Sequence, residues 1–128
     1  MSIPLINTMQ AIQKENSVFR QLQVLPPRAN SNEFNHVSIA IVEKTIKLYD
    51  PKLRMTVAEV LGKYNYVESA LKIAEQTTRD FPEYIGGWEV VASIYEVNNM
   101  PDKAKYARSK TIELDPLNQI FKDKLVNK

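Results

Sequence analysis

Ile85-Gly86-Gly87-Trp88-Glu89-Val90-Val91-Ala92-Ser93-Ile94-Tyr95-Glu96-Val97-Asn98-Asn99-Met100-Pro101-Asp102-Lys103-Ala104 is the stretch that decides the fold. Ile85, Trp88, Val91, Ala92 and Tyr95 fall three or four apart, the spacing of one helix face. Asn98-Asn99 interrupts the pattern, and Pro101 suits the first turn of a second helix, where its missing N–H costs nothing. The stretch therefore predicts helix, short turn, helix. The same features stand 34 residues earlier or later: Ala58 with Ala92, Leu61 with Tyr95, Ala70 with Ala104, Pro82 with Pro116. A repeat of that period marks a stacked supersecondary unit.

Outward from this unit the pattern stays helical. Leu53, Val57, Val60 and Leu61 predict a helix over Pro51 to Lys63; Val67, Ala70, Leu71 and Ala74 predict one over Tyr66 to Asp80. The fifth and sixth are expected over Tyr84 to Asn98 and Pro101 to Leu114. A seventh, short one holds Leu117, Ile120, Phe121 and Leu125. Before the repeats, a first helix is expected from about residue 4 to 23, stopped by Pro26-Pro27. Ser31 or Asn32 would cap a second, from Glu33 to Tyr49, which ends at Asp50-Pro51. Phe34, Val37, Ile41 and Leu48 form one stripe of it and Ile39, Val42, Ile46 and Tyr49 another, so this helix is expected to lie between neighbours.

Composition agrees with an all-α chain and narrows its chemistry. In 128 residues, 44% are hydrophobic and only three are glycine, which supplies a core and leaves few of the positions that tight β turns need. Cysteine is absent and histidine occurs once, so thiol nucleophiles, disulfides and multi-histidine metal sites are excluded. Seventeen basic and fifteen acidic residues give +2, too balanced to point to nucleic acid or an anionic membrane surface. The excess sits late, with Lys103, Lys105, Arg108, Lys110, Lys122, Lys124 and Lys128 against Asp102, Glu113, Asp115 and Asp123. No run reaches the roughly 20 apolar residues of a membrane span.

On these residues the chain resembles the tetratricopeptide repeat, a unit of two antiparallel helices in 34 residues. Counted from Ile85, the family's pattern meets Trp88, Val91, Ala92, Tyr95, Ala104 and Pro116 and departs at Arg108 and Thr111. Counted from Pro51, it meets Val57, Ala58, Leu61, Ala70 and Pro82 and departs at Arg54, Ala74 and Thr77. The resemblance implies an all-α, antiparallel helix-hairpin array of about seven helices, with a right-handed superhelix. Residues 1–50 would form a degenerate pair, 51–84 and 85–118 the two repeats, and 117–126 a C-terminal capping helix. Ala58, Ala70, Ala92 and Ala104 would sit at close helix crossings, Trp88 and Tyr95 between adjacent pairs, and Pro82 and Pro116 would turn the chain back.

The same resemblance implies a protein–protein interaction scaffold that holds a partner peptide or helix in a concave groove. The groove residues expected here are Lys52, Met55, Glu59 and Lys63 from one unit and Glu89, Ser93 and Glu96 from the next. Their mixed charge suits a polar segment of mixed charge, and the carboxylate clamp of one subfamily is missing, because Met55, Glu59, Glu89 and Ser93 occupy several of its places. Exposed end faces leave self-association open.

No constellation for catalysis emerges. His36 lacks acidic or nucleophilic neighbours at useful spacing. Gly86-Gly87, without a following Lys-Ser/Thr, predicts a tight turn into a helix rather than an anion cradle. Tyr64 and Tyr66 flank Asn65 in a turn, and one of them is expected to be exposed. The chain is thus read as no enzyme, with no cofactor, no metal and no nucleic acid. A further resemblance rests on Leu25-Pro26-Pro27-Arg28-Ala29-Asn30-Ser31-Asn32 and Glu113-Leu114-Asp115-Pro116-Leu117-Asn118, which are similar to the soluble C-terminal tails of bacterial O-antigen ligase and polymerase-type membrane proteins. It implies a non-catalytic tail, periplasmic or membrane-associated through an upstream region, where a self-contained chain would be cytoplasmic.

Overall fold

The structure is a computed structural model that describes residues 17–26 and 35–126. The expected helix over residues 4–16, the loop and cap at 27–34 with Phe34, and residues 127–128 lie outside the described residues. Seven α-helices and no strand occur among those described: α1 (17–24), α2 (Asn35–Thr45), α3 (Pro51–Lys63), α4 (Val67–Asp80), α5 (Ile85–Val97), α6 (Pro101–Leu114) and α7 (Gln119–Val126).

The helix boundaries keep the period of the sequence. Helices α3, α5 and α7 begin at residues 51, 85 and 119, and α4 and α6 begin at 67 and 101. The ends match too, at 63 and 97 for α3 and α5 and at 80 and 114 for α4 and α6. Each step is 34 residues, and α7 is the start of a third unit, cut short at residue 126.

Local chemistry sets these boundaries. The Asp50 carboxylate accepts from the Leu53 N–H at 3.2 Å and caps α3, with Pro51 in its first turn. Helices α3 and α5 both end with asparagine in the left-handed region, Asn65 at φ 69° and Asn99 at φ 55°, a conformation that this short polar side chain tolerates. The next residue then folds back in each unit. Tyr66 N–H donates to the Leu61 carbonyl at 2.8 Å, and Met100 N–H donates to the Tyr95 carbonyl at 2.9 Å. Phe81 N–H on the Thr77 carbonyl and Asp115 N–H on the Thr111 carbonyl close α4 and α6 in the same way.

Packing follows the hairpins. The most extensive contacts join α3 to α4 and α5 to α6; α4 and α3 both meet α5, and α6 meets α7. Ala58, Ala70, Ala92 and Ala104 are buried, as expected of close crossings where a larger side chain would force the helices apart. Trp88 is half-buried; its indole N–H donates to the Pro82 carbonyl at 2.8 Å, and its ring meets Tyr106 edge-to-face at 6.0 Å. Thr77 and Thr111, departures from the family pattern, are also buried in register. Each returns its hydroxyl to a carbonyl one turn back in its own helix, Ile73 and Arg108 respectively.

Arg54 accounts for a third departure. It is 4% exposed, and its Nε donates to the Leu48 carbonyl at 2.8 Å. Trp88, one unit later, makes the same bond to the carbonyl six residues before it. The guanidinium also donates to the Ile46 carbonyl at 2.6 Å and to Asp80 at 2.7 Å, so it ties the end of α2 to α3 and α4. Asp80 is held below the usual carboxylate range, chiefly by this hydrogen bond and then by that from Gln76.

The N-terminal part departs from expectation. Helix α2 stops at Thr45 rather than Tyr49, because Lys47 and Leu48 turn tightly onto the Lys44 and Thr45 carbonyls and Arg54 claims those of Ile46 and Leu48. Its second stripe is not enclosed: Val42 is buried, but Ile39 is exposed and Tyr49 is 92% exposed, lying edge-to-face on Phe81. Helix α2 rests more on α4 than on α3. Tyr66, in the turn before α4, is fully buried, and its hydroxyl donates to the Pro26 carbonyl at 2.8 Å.

Candidate functional site

Because α3, α5 and α7 repeat in register, one side of the array is lined by them alone. A cleft of about 570 Å³ opens there. Helix α3 contributes Glu59, Gly62 and Lys63; α5 contributes Glu89, Val90, Ser93, Ile94 and Val97; α7 contributes Lys124. Asn65, Val67 and Asn98, from the turns, complete the lining.

The walls differ in character. On α5, Val90, Ile94 and the exposed Val97 present an apolar strip. On α3, Glu59 and Lys63 stand one turn apart, exposed, and neither joins an ion pair among the described residues. Across the cleft Lys124 reaches from α7 to Glu89 at 2.8 Å, a bridge between partly exposed groups that ties the third helix to the second. Ser93 donates to the Glu89 carbonyl and accepts from Arg108, while the Asn98 amide donates to the Ile94 carbonyl at 2.8 Å. Gly62 leaves the α3 wall bare. A Cβ there would meet nothing nearer than the Ala70 Cβ at 3.9 Å.

The other end of the same face is closed. The Tyr84 ring lies over Gly86, with atoms 2.6 Å from where a Cβ would stand, and the Met55 methyl lies 3.3 Å from that position on Gly87. Gly87 N–H donates to the Tyr84 carbonyl at 3.1 Å, so the paired glycines form a turn into α5 under a packed aromatic ring. Burial raises the Tyr84 hydroxyl above the usual tyrosine value, with Asp50 and Glu59 adding to it.

Of the groove residues expected from the sequence, Glu59, Lys63, Glu89 and Ser93 line the cleft. Met55 does not; it is buried, because Gly87 lets α5 approach its side chain. Lys52 is exposed outside the lining. Glu96 faces the other way and binds Arg108 through two hydrogen bonds, at 2.8 and 3.1 Å. Lys124 was not expected here. Its signal was the period itself, since it stands one unit beyond Val90.

Chemically the cleft can enclose an apolar group between charged edges. His36 is exposed on α2, outside the lining. Among the described residues no group of three or more His, Asp or Glu is placed to hold a metal, and no helix is long and apolar enough to cross a membrane. Neither a scan against protein-family models nor a search of curated proteins gave a match.

Proposed function

We propose that this chain is a tetratricopeptide-like interaction module that holds a segment of a partner protein in the cleft between α3, α5 and α7. The observation that carries this reading is the 570 Å³ cleft, set at the groove positions by three helices in one register. Its size lies in the range of sites that enclose a ligand group, and its make-up, an apolar strip with a few polar groups, is that of a recognition surface. The occupant is an amphipathic segment. An apolar side chain rests on Val90, Ile94 and Val97, and a basic and an acidic residue meet Glu59 and Lys63.

Gly62 provides the test. A Cβ is accommodated there, so Gly62→Met fills the cleft from the α3 wall without disturbing the hairpin. Peptides selected against the parent chain from a displayed library are measured for Kd on both proteins. The reading expects at least a tenfold weaker Kd on Gly62→Met, at an unchanged or higher melting temperature. It also expects a comparable loss on the Glu59→Lys, Lys63→Glu double variant. Selected peptides that bind all three proteins equally, or no selection at all, would place the function elsewhere.

A further inference from the structure

The second unit copies the first in helix boundaries, turn geometry and buried alanines, but not at one place. Between α5, α6 and the end of α7 lies a cavity of about 220 Å³ lined by Glu96, Met100, Pro101, Lys105, Arg108 and Leu125, with Asn99 and Ala104. The register-equivalent residues of the first unit include Leu71 in place of Lys105 and Ala74 in place of Arg108. Ala74 is fully buried and Leu71 is packed against the core. Two apolar positions have thus become cationic around one cavity.

Three features there favour negative charge. Arg108 is 4% exposed; its Nε and Nη2 are taken by Glu96 and Ser93, but its Nη1 is buried without a partner. A buried donor left unpaired is rare in folded proteins and calls for a missing partner. The cavity also touches the first turn of α6, a helix of 14 residues whose N-cap, Met100, makes no side-chain capping bond. Its leading N–H groups and its dipole therefore face outward uncapped. The ammonium of Lys105 stands exposed on the same wall. The nearest opposing charge, Glu96, has both carboxylate oxygens engaged by Arg108; Asp102, also in the first turn of α6, is exposed.

We infer that this cavity is a binding site for a small oxyanion, a phosphate or a short carboxylate, held by Arg108 Nη1, the N-terminus of α6 and Lys105. The volume is on the order of seven water molecules, enough for such an ion and too little for a nucleotide. Leu125 of α7 lies on the same wall, so occupation of the site bears directly on how the last helix seats. This inference is independent of the peptide cleft, which lies on other residues apart from the α5 and α7 helices that both share.

The test is an NMR titration of the full chain, labelled with 15N, against inorganic phosphate in one arm and acetate in the other, with chloride at matched ionic strength as reference. Saturable shifts are expected in the amides of Asp102, Lys103 and Ala104 and in the Arg108 Nε–H. Saturation by phosphate alone assigns a phosphoryl ligand, by acetate alone a carboxylate, and by both the shared oxyanion chemistry. Lys105→Gln, at an exposed position, is expected to weaken the apparent Kd at least threefold with the spectrum otherwise intact. Arg108→Lys, read only if it keeps the parent's dispersion, is expected to abolish saturation; if it does not fold, Lys105→Gln and the amide map decide. Shifts that rise linearly and equal those of chloride overturn the inference, as does a saturable response that Lys105→Gln leaves unchanged.

Discussion

Replacing Arg54 by alanine tests how the N-terminal helices are tied to the repeats. The buried guanidinium serves two carbonyls, Ile46 and Leu48, and one carboxylate, Asp80. These contributions are unequal. Asp80 is 37% exposed, so its share is that of a surface pair, roughly 0.2–1 kcal/mol, and water takes over when the arginine leaves. Each carbonyl accepts from a charged donor, a bond worth about 1.5–3 kcal/mol, discounted where water can replace it. Lost packing of the arginine stem on the Phe81 ring adds to this. Arg54→Ala should therefore cost about 3 kcal/mol, and Asp80→Asn less than about 1 kcal/mol. For a chain of this size that is roughly a 10 °C fall in melting temperature for the first variant and a few degrees for the second. Arg54→Lys should fall between them, because an ammonium can meet Asp80 but cannot span both carbonyls. Urea unfolding followed by far-ultraviolet circular dichroism reads all three. If Asp80→Asn costs as much as Arg54→Ala, the ion pair and not the carbonyl clasp holds this junction, and the reasoning fails.

Other expectations follow from the same geometry. Gly62→Ala should stabilise by about 0.5–1 kcal/mol, since helix propensity is gained where space is free, whereas Gly86→Ala should destabilise because its methyl would enter the Tyr84 ring; like signs in urea unfolding would contradict this. Ala92→Leu places a larger side chain at a fully buried crossing and should cost at least about 1–3 kcal/mol by the same measurement; an unchanged midpoint would mean that α5 and α6 do not meet closely there. Asp80 has a lowered pKa in the fold, so its contribution is complete above the ordinary value of 3.8 and disappears as pH falls below that through the folded value. Asp80→Asn should accordingly flatten the acid limb of stability below about pH 4, and an identical limb in both proteins would remove the assignment.

The repeats were legible because each carries its own punctuation. Alanines at crossings, asparagines in left-handed turns and prolines after them recur at one interval, and α3 and α6 begin and end where the pattern places them. Arg54 and Thr77 read as departures only because residue type was compared. Arg54 supplies the same N–H as Trp88 to the same carbonyl position, which no comparison of hydrophobicity reveals. The end of α2 was hidden for the same reason, since its last carbonyls are claimed by a residue in the next helix. Half of the cleft was visible from the groove positions. Met55 was lost to it because Gly87 lets two helices close over that side chain, and Lys124 was missed because the register was not carried past Pro116.

Everything rests on α3 and α5 lying side by side as successive units, and the Met55 methyl reports on that directly. It stands in α3, buried, 3.3 Å from the Cβ position of Gly87 in α5, with the Thr78 methyl of α4 beside the same point at 3.6 Å. In a chain labelled with 13C at its methionine methyls, a nuclear Overhauser spectrum should show strong cross-peaks from Met55 to the Gly87 α-protons and to the Thr78 methyl. Cross-peaks confined to residues of α3 would contradict the stacked arrangement.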